Sequence, residues 1–218
     1  MISPASSPPP WNADRPSDRA LIESNLRSLL TGIVRDRHER KRPTSALARD
    51  WHRAAYDQIV VPVPCYVGNF RGDAAVCPEL ASYEVTVGQH CGTPSSAVAA
   101  EVARFEASAR AAIGTLDAVP PGTFPTDPSE LWSIVTLCAY VHGEWVRIHP
   151  FANGNGRIAR IWANWCALRY ELPPYVRLKP RPGKTAYGRA AEASMQGDHD
   201  PMAHVFHNML QQHLRQSR

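Results

Sequence analysis

The strongest constraint on this chain lies between residues 131 and 174. From Leu131 an apolar stripe of Ile134, Cys138, Val141, Trp145 and Ile148 recurs at helical spacing. Pro150 disfavours helical backbone at the residue before it, so this helix ends near Ile148. A second helix opens at about Asn155, with Ile158, Ile161, Trp162, Trp165 and Cys166 on one side, and Pro173-Pro174 stop it. Two long helices are thus joined by a short loop that contains Gly154 and Gly156.

The same period places further helices elsewhere. Ser17 is a candidate N-cap, followed by Ile22, Leu26, Leu29, Leu30 and Ile33. Thr44 caps a helix that turns Leu47, Trp51 and Ala55 inward. From Ser95 the stripe runs through Val98, Val102, Phe105, Ala109, Ala112 and Leu116. Residues 117–128 form a loop with four prolines, and two helices fit 185–195 and 200–214. Residues 59–92 are punctuated by Gly and Pro and read as loops with one short hairpin. The expected class is mostly α, a helical bundle with a small β-hairpin. Residues 1–16 are expected to be a flexible Pro-rich tail, 17–44 an N-terminal helix, and 45–218 the main domain.

Composition narrows the function classes. The chain has 218 residues, 44% hydrophobic and 20% charged, and a net charge of +4. That charge is too small to imply nucleic-acid binding. No apolar run approaches the length of a membrane span, and no signal peptide is evident, so a cytoplasmic location is expected. Cys65, Cys77, Cys91, Cys138 and Cys166 form no C-x-x-C pair. Cys65, Cys77, His90 and Cys91 lack the usual zinc spacing, and free thiols are the expectation.

The loop between the two long helices carries the chemistry. It reads His149-Pro150-Phe151-Ala152-Asn153-Gly154-Asn155-Gly156-Arg157-Ile158-Ala159-Arg160. A helix that starts next to glycines points free backbone N–H groups at a ligand and makes an anion site. Arg157 and Arg160 are three apart in the first turn, where positive charge opposes the helix dipole unless an anion compensates. Polyphosphate is a natural compensating ligand for arginine. His149 is a candidate general base, or else a buried histidine that caps the preceding helix.

This stretch resembles the Fic signature, H-P-F-x-[DE]-G-N-G-R-x-x-R. Around it, Gly68-Asn69-Phe70-Arg71 resembles the family's upstream G-x-[FY]-R segment. Residues 81–92 occupy the place of its flap, and Tyr187 to Leu210 resemble its closing helices. The resemblance spans residues 45–214.

It implies a Fic fold and transfer of AMP from ATP to a Ser, Thr or Tyr hydroxyl of a target protein. By position, His149 would deprotonate that hydroxyl and Phe151 would anchor the loop. Gly154, Asn155 and Gly156 would cradle phosphates, and Arg157 and Arg160 would bind the phosphate tail. The flap would hold the target as an added strand, and Mg²⁺ would spread the developing charge. Gly156 fits the nucleotidylating branch, since phosphorylating members carry lysine there.

One position departs from the signature: Asn153 stands where the family has the acidic Mg²⁺ ligand, and by position it would hold the metal through an amide oxygen, which can ligate Mg²⁺ but brings no negative charge. The resemblance also suggests an inhibitory helix, with Glu23 pairing with Arg160. Two alternatives stay open: a Fic-fold enzyme acting on a small phosphorylated or metabolite substrate or transferring another moiety, and a non-catalytic nucleotide-binding regulator.

Overall fold

The computed structural model describes residues 7–117, 124–179, 181–182 and 186–216. Among these, seven α-helices follow one another: α1 (Arg19–Arg35), α2 (Ser45–Ala55), α3 (Val98–Leu116), α4 (Pro128–Ile148), α5 (Asn155–Arg169), α6 (Ala186–Met195) and α7 (Asp200–Gln216). Two short strands, β1 (Thr86–Val87) and β2 (His90–Cys91), pair antiparallel with Thr86 opposite Cys91.

The helix periods translate directly into packing. Helix α4 touches α3, α5, α6 and α7. Asp127 caps its start by accepting from Ser129 N (2.7 Å) and Glu130 N (2.9 Å). Every residue of α5 except Gly156 is buried, as expected for a helix surrounded by others. Trp145 of α4, Trp162 of α5 and Phe105 of α3 meet at ring distances of 5.2–5.8 Å, and Trp51 of α2 closes on Trp162 at 4.7 Å. These rings fix the angle between α4 and α5, and so the shape of the loop between them.

The hairpin is smaller than the segment expected for it. Only four residues pair, around a two-residue turn in which Gly88 takes a positive φ of 62°. Ile59–Val63, although β-branched, forms no strand. The expected Ser17 cap is replaced by a 3₁₀ turn over Pro16–Asp18 that leads into α1. Thr44 does cap α2, accepting from Leu47 N at 3.4 Å.

Two expectations are corrected. Part of the presumed flexible tail is packed: Trp11 and Ala13 are buried, Tyr66 donates to the Pro9 carbonyl (3.1 Å), and Trp11 N donates to Tyr83 Oη (3.2 Å). One large indole supplies the burial that the Pro-rich composition hides. Residues 1–6 of the tail, and 118–123 of the loop before α4, lie outside the described residues. Cys65 and Cys77 are not free thiols but a disulfide, their Cα atoms 5.7 Å apart, whereas Cys91, Cys138 and Cys166 are free. No described helix is long and apolar enough to cross a membrane.

Candidate active site

The loop from His149 to Gly154 is held from below by its own side chains. The Asn155 amide closes a two-way bond with the Phe151 backbone, accepting from its N–H (2.9 Å) and donating to its carbonyl (2.8 Å). Phe151 is fully buried, stacked on His52 at 3.9 Å and tilted against Phe70 at 4.9 Å. Phe151 therefore anchors the loop. The Asn155 side chain shapes the turn rather than facing a ligand. Gly154 has φ 80°, and a Cβ there would strike the Tyr56 hydroxyl. It precedes α5, whose first N–H groups have no intrahelical acceptor.

His149 ends α4 in left-handed backbone, φ 53°. Its Nδ1–H is donated to the Val146 carbonyl at 2.5 Å, which leaves Nε2 as an acceptor. Burial lowers its pKa to about 4; the Val146 hydrogen bond opposes that shift and the Arg71 cation adds to it. The imidazole is therefore neutral near pH 7, as a base must be.

Arg71 explains how this geometry is kept. It is 1% exposed and donates to five oxygens: the carbonyls of His149 (2.8 Å), Ile148 (3.2 Å), Thr93 (2.7 Å) and Tyr83 (3.0 Å), and the Glu84 carboxylate (3.3 Å). Its own N–H is donated to the Pro150 carbonyl at 2.8 Å. One guanidinium thus joins the end of α4 to both stems of the flap.

The two motif arginines are each backed by a tyrosine. Arg157 donates to Tyr56 Oη (2.6 Å), to the Ala13 carbonyl (3.3 Å) and to the Asp14 carboxylate. Burial works against its charge, but Tyr56 and Asp14 outweigh it and its pKa is raised. Arg160 donates to the Leu178 carbonyl (3.1–3.2 Å) and to Tyr187 Oη (3.4 Å), and that hydroxyl lies 2.7 Å from His142 Nε2. The expected pair of Glu23 with Arg160 is not made, because the Arg160 guanidinium is turned to Leu178 and Tyr187. Glu23 instead sits where its charge is felt by Lys179.

Asn153 meets two partners. Its Oδ1 accepts from Gly154 N (2.6 Å), and its Nδ2 donates to the Trp11 carbonyl (2.6 Å). Mg²⁺ is held by carboxylates together with substrate phosphates. The Asn153 amide oxygen keeps a second lone pair but brings no negative charge, so it fits that role less well than the family's carboxylate.

His149, Asn153, Gly154, Asn155, Gly156, Arg157 and Arg160 line one cavity of about 870 Å³. Lys179, Arg181 and Asp14 share its arginine end, and the flap with Glu192 borders the other. His90 of β2 reaches Glu192 of α6 at 3.2 Å. Sequence reasoning missed His52, Tyr56, Asp14 and the part played by Arg71. His52 accepts from Gly68 N (2.9 Å) at Nδ1 and donates from Nε2 to the Asn153 carbonyl (3.1 Å), and burial lowers its pKa to about 3. The Arg71 segment is legible through the resemblance; the others carry no local signal.

The helical bundle thus presents a neutral histidine beside an arginine-lined helix start. The Fic/DOC family model matches residues 43–167, and the chain belongs to that family. A stretch of 67 residues is 34% identical to the protein adenylyltransferase Fic of Drosophila persimilis, covering 31% of this chain and 13% of that protein. The fold resembles Fic-1 (residues 134–508) of C. elegans, with TM-score 0.60 and 17% identity over 99% of this chain and 53% of the other. It also resembles BepC of Bartonella tribocorum, solved with bound AMPPNP, with TM-score 0.53 and 13% identity over 88% and 87% of the two chains.

Proposed function

We propose that this protein transfers a nucleotidyl group, AMP from ATP, to a hydroxyl acceptor on a Ser, Thr or Tyr side chain. The observation that carries the reading is the juxtaposition in one cavity of a neutral His149 with Gly154–Gly156, Arg157 and Arg160. Phosphate oxygens would take the free N–H groups at the start of α5 and the arginine charge. His149 Nε2 would accept the proton of the attacking hydroxyl while pyrophosphate leaves in line. Arg71 would keep the base and flap in register. Mg²⁺ brought with the triphosphate would neutralise phosphate charge; Asn153 gives it no carboxylate.

The test is transfer of α-labelled ATP, UTP, GTP or CTP to the protein itself, to lysate proteins or to small hydroxyl compounds. His149→Ala is expected to lower transfer by about 10²–10⁴-fold with unchanged nucleotide affinity. No transfer from any nucleotide by a folded wild type would refute the reading. Label on a small compound alone would move the acceptor class to metabolites. Restraint by Glu23 is the regulatory part of the proposal and requires its carboxylate to reach Arg160. A rise in transfer with Glu23→Gly supports it, and an unchanged rate removes it.

A further inference from the structure

Residues 9–15 cross the arginine end of the cavity and touch it with main chain, ring and carboxylate. The Trp11 indole is buried, edge-on to Tyr56 at 4.8 Å and His52 at 5.7 Å. Its backbone N–H reaches Tyr83, and its carbonyl takes the Asn153 amide. Two residues on, the Ala13 carbonyl and the Asp14 carboxylate both accept from Arg157 Nη2, while Arg157 Nη1 is spent on Tyr56. Both terminal nitrogens of this arginine are already engaged by the protein.

We propose that this segment is an internal competitor for ligand phosphate: Asp14 holds the Arg157 nitrogen that a polyphosphate tail would use, and Asn153 is the amide that seats the segment. The proposal rests on the phosphate-binding reading above and adds what a ligand must displace.

Two observations support it. An Asp or Glu at 153 would turn a carboxylate oxygen toward the Trp11 carbonyl, setting acceptor against acceptor; only an amide donates there. The neutral residue at 153 and the seated segment therefore belong together, which gives the departure from the family signature a physical reason. Second, the pair is lopsided. The Arg157 side chain is 8% exposed, whereas that of Asp14 is 76% exposed. A screened carboxylate leaves at little cost, and a buried arginine regains a stronger, doubly bonding partner in a phosphate. The exchange is reversible by design of the contact.

The consequence is selection by phosphate number. A ligand whose tail reaches Arg157 must displace Asp14, and a nucleoside monophosphate that stops short of it leaves the pair intact. Asp14 thereby becomes a specificity-determining residue, setting how tightly a triphosphate binds relative to a monophosphate.

Calorimetric titration of the full chain with ATP and with AMP, without divalent metal, tests this on wild type, Asp14→Asn and Asn153→Ala. Asp14→Asn is expected to tighten ATP about three- to tenfold and to leave AMP within about twofold; Asn153→Ala should move ATP in the same direction. In wild type, hydrogen exchange of the peptide covering residues 9–15 should rise on adding ATP and not on adding AMP. Unchanged or weaker ATP binding by Asp14→Asn, or exchange that ATP leaves unaltered, would overturn the proposal while sparing the phosphate-binding reading. A folded wild type that binds neither nucleotide would defeat both.

Discussion

His149 shows how much a single position owes to distant ones. Its place at the end of a helix and before Pro150 is plain in the sequence, and so is its chemistry. Its protonation is not, because the burial that lowers its pKa is made only by the folded chain, and Arg71, which adds to that shift, lies 78 residues away. With a pKa of about 4, His149 loses its proton as pH rises through that value and is competent above it. The acid limb of transfer by the free protein is expected near pH 4–5 rather than near 6.5, measured as rate against pH at low nucleotide. Arg71→Gln removes the cation that helps hold the imidazole neutral, so the limb should move toward higher pH; Arg71→Lys should move it less. A limb that stays near 6.5 in wild type would contradict the neutral base.

Among elements, those with a period were legible and those without were not. Helices α2 to α5 follow from apolar stripes and caps, and the glycine loop follows from its punctuation. The segment around Trp11 is not legible because one indole among prolines has no period, yet that ring packs against His52, Tyr56 and Tyr66. The disulfide is not legible because cysteine spacing alone does not bring two loop positions together. That bond closes the stretch carrying Gly68–Arg71, and Asn69 Nδ2 donates to the Cys65 carbonyl at 2.9 Å inside it. Replacing both cysteines by serine should cost roughly 2–3 kcal/mol of stability, read from denaturant unfolding. It should also increase hydrogen exchange across residues 65–77 more than elsewhere. Equal protection in the two forms would show that Arg71 and His52 hold this stretch without the bond.

At the scale of the whole molecule, the buried His52 and His142 and the partly buried His149 contribute to the response to acid. His52 and His142 have pKa values of about 3 and His149 of about 4, each driven down first by burial. Unfolding frees all three to titrate near 6.5. Below that pH the unfolded chain binds protons that the folded chain refuses, so stability is complete above about 6.5 and is lost as pH falls toward 4. The slope approaches about 1.4 kcal/mol per pH unit for each histidine. Glu144, held near 2 by His199 and Arg147 against the cost of burial, adds a loss in the same direction below about 4.5. Urea midpoints at pH 7, 5.5 and 4.5 should fall steeply in that order. A flat profile would mean that these imidazoles accept protons in the folded protein.

The distribution of the cysteines has a practical consequence. Cys138 and Cys166 are buried, Cys65 and Cys77 are bonded to each other, and Cys91 alone is both exposed and free. Cys91 lies on β2, one residue from the His90 that bridges to α6. A thiol-reactive fluorophore added to the oxidised, native protein would therefore mark the flap at a single point with no engineered residue. Opening and closing of the cavity mouth could then be followed in the unmodified sequence, in real time and at low concentration.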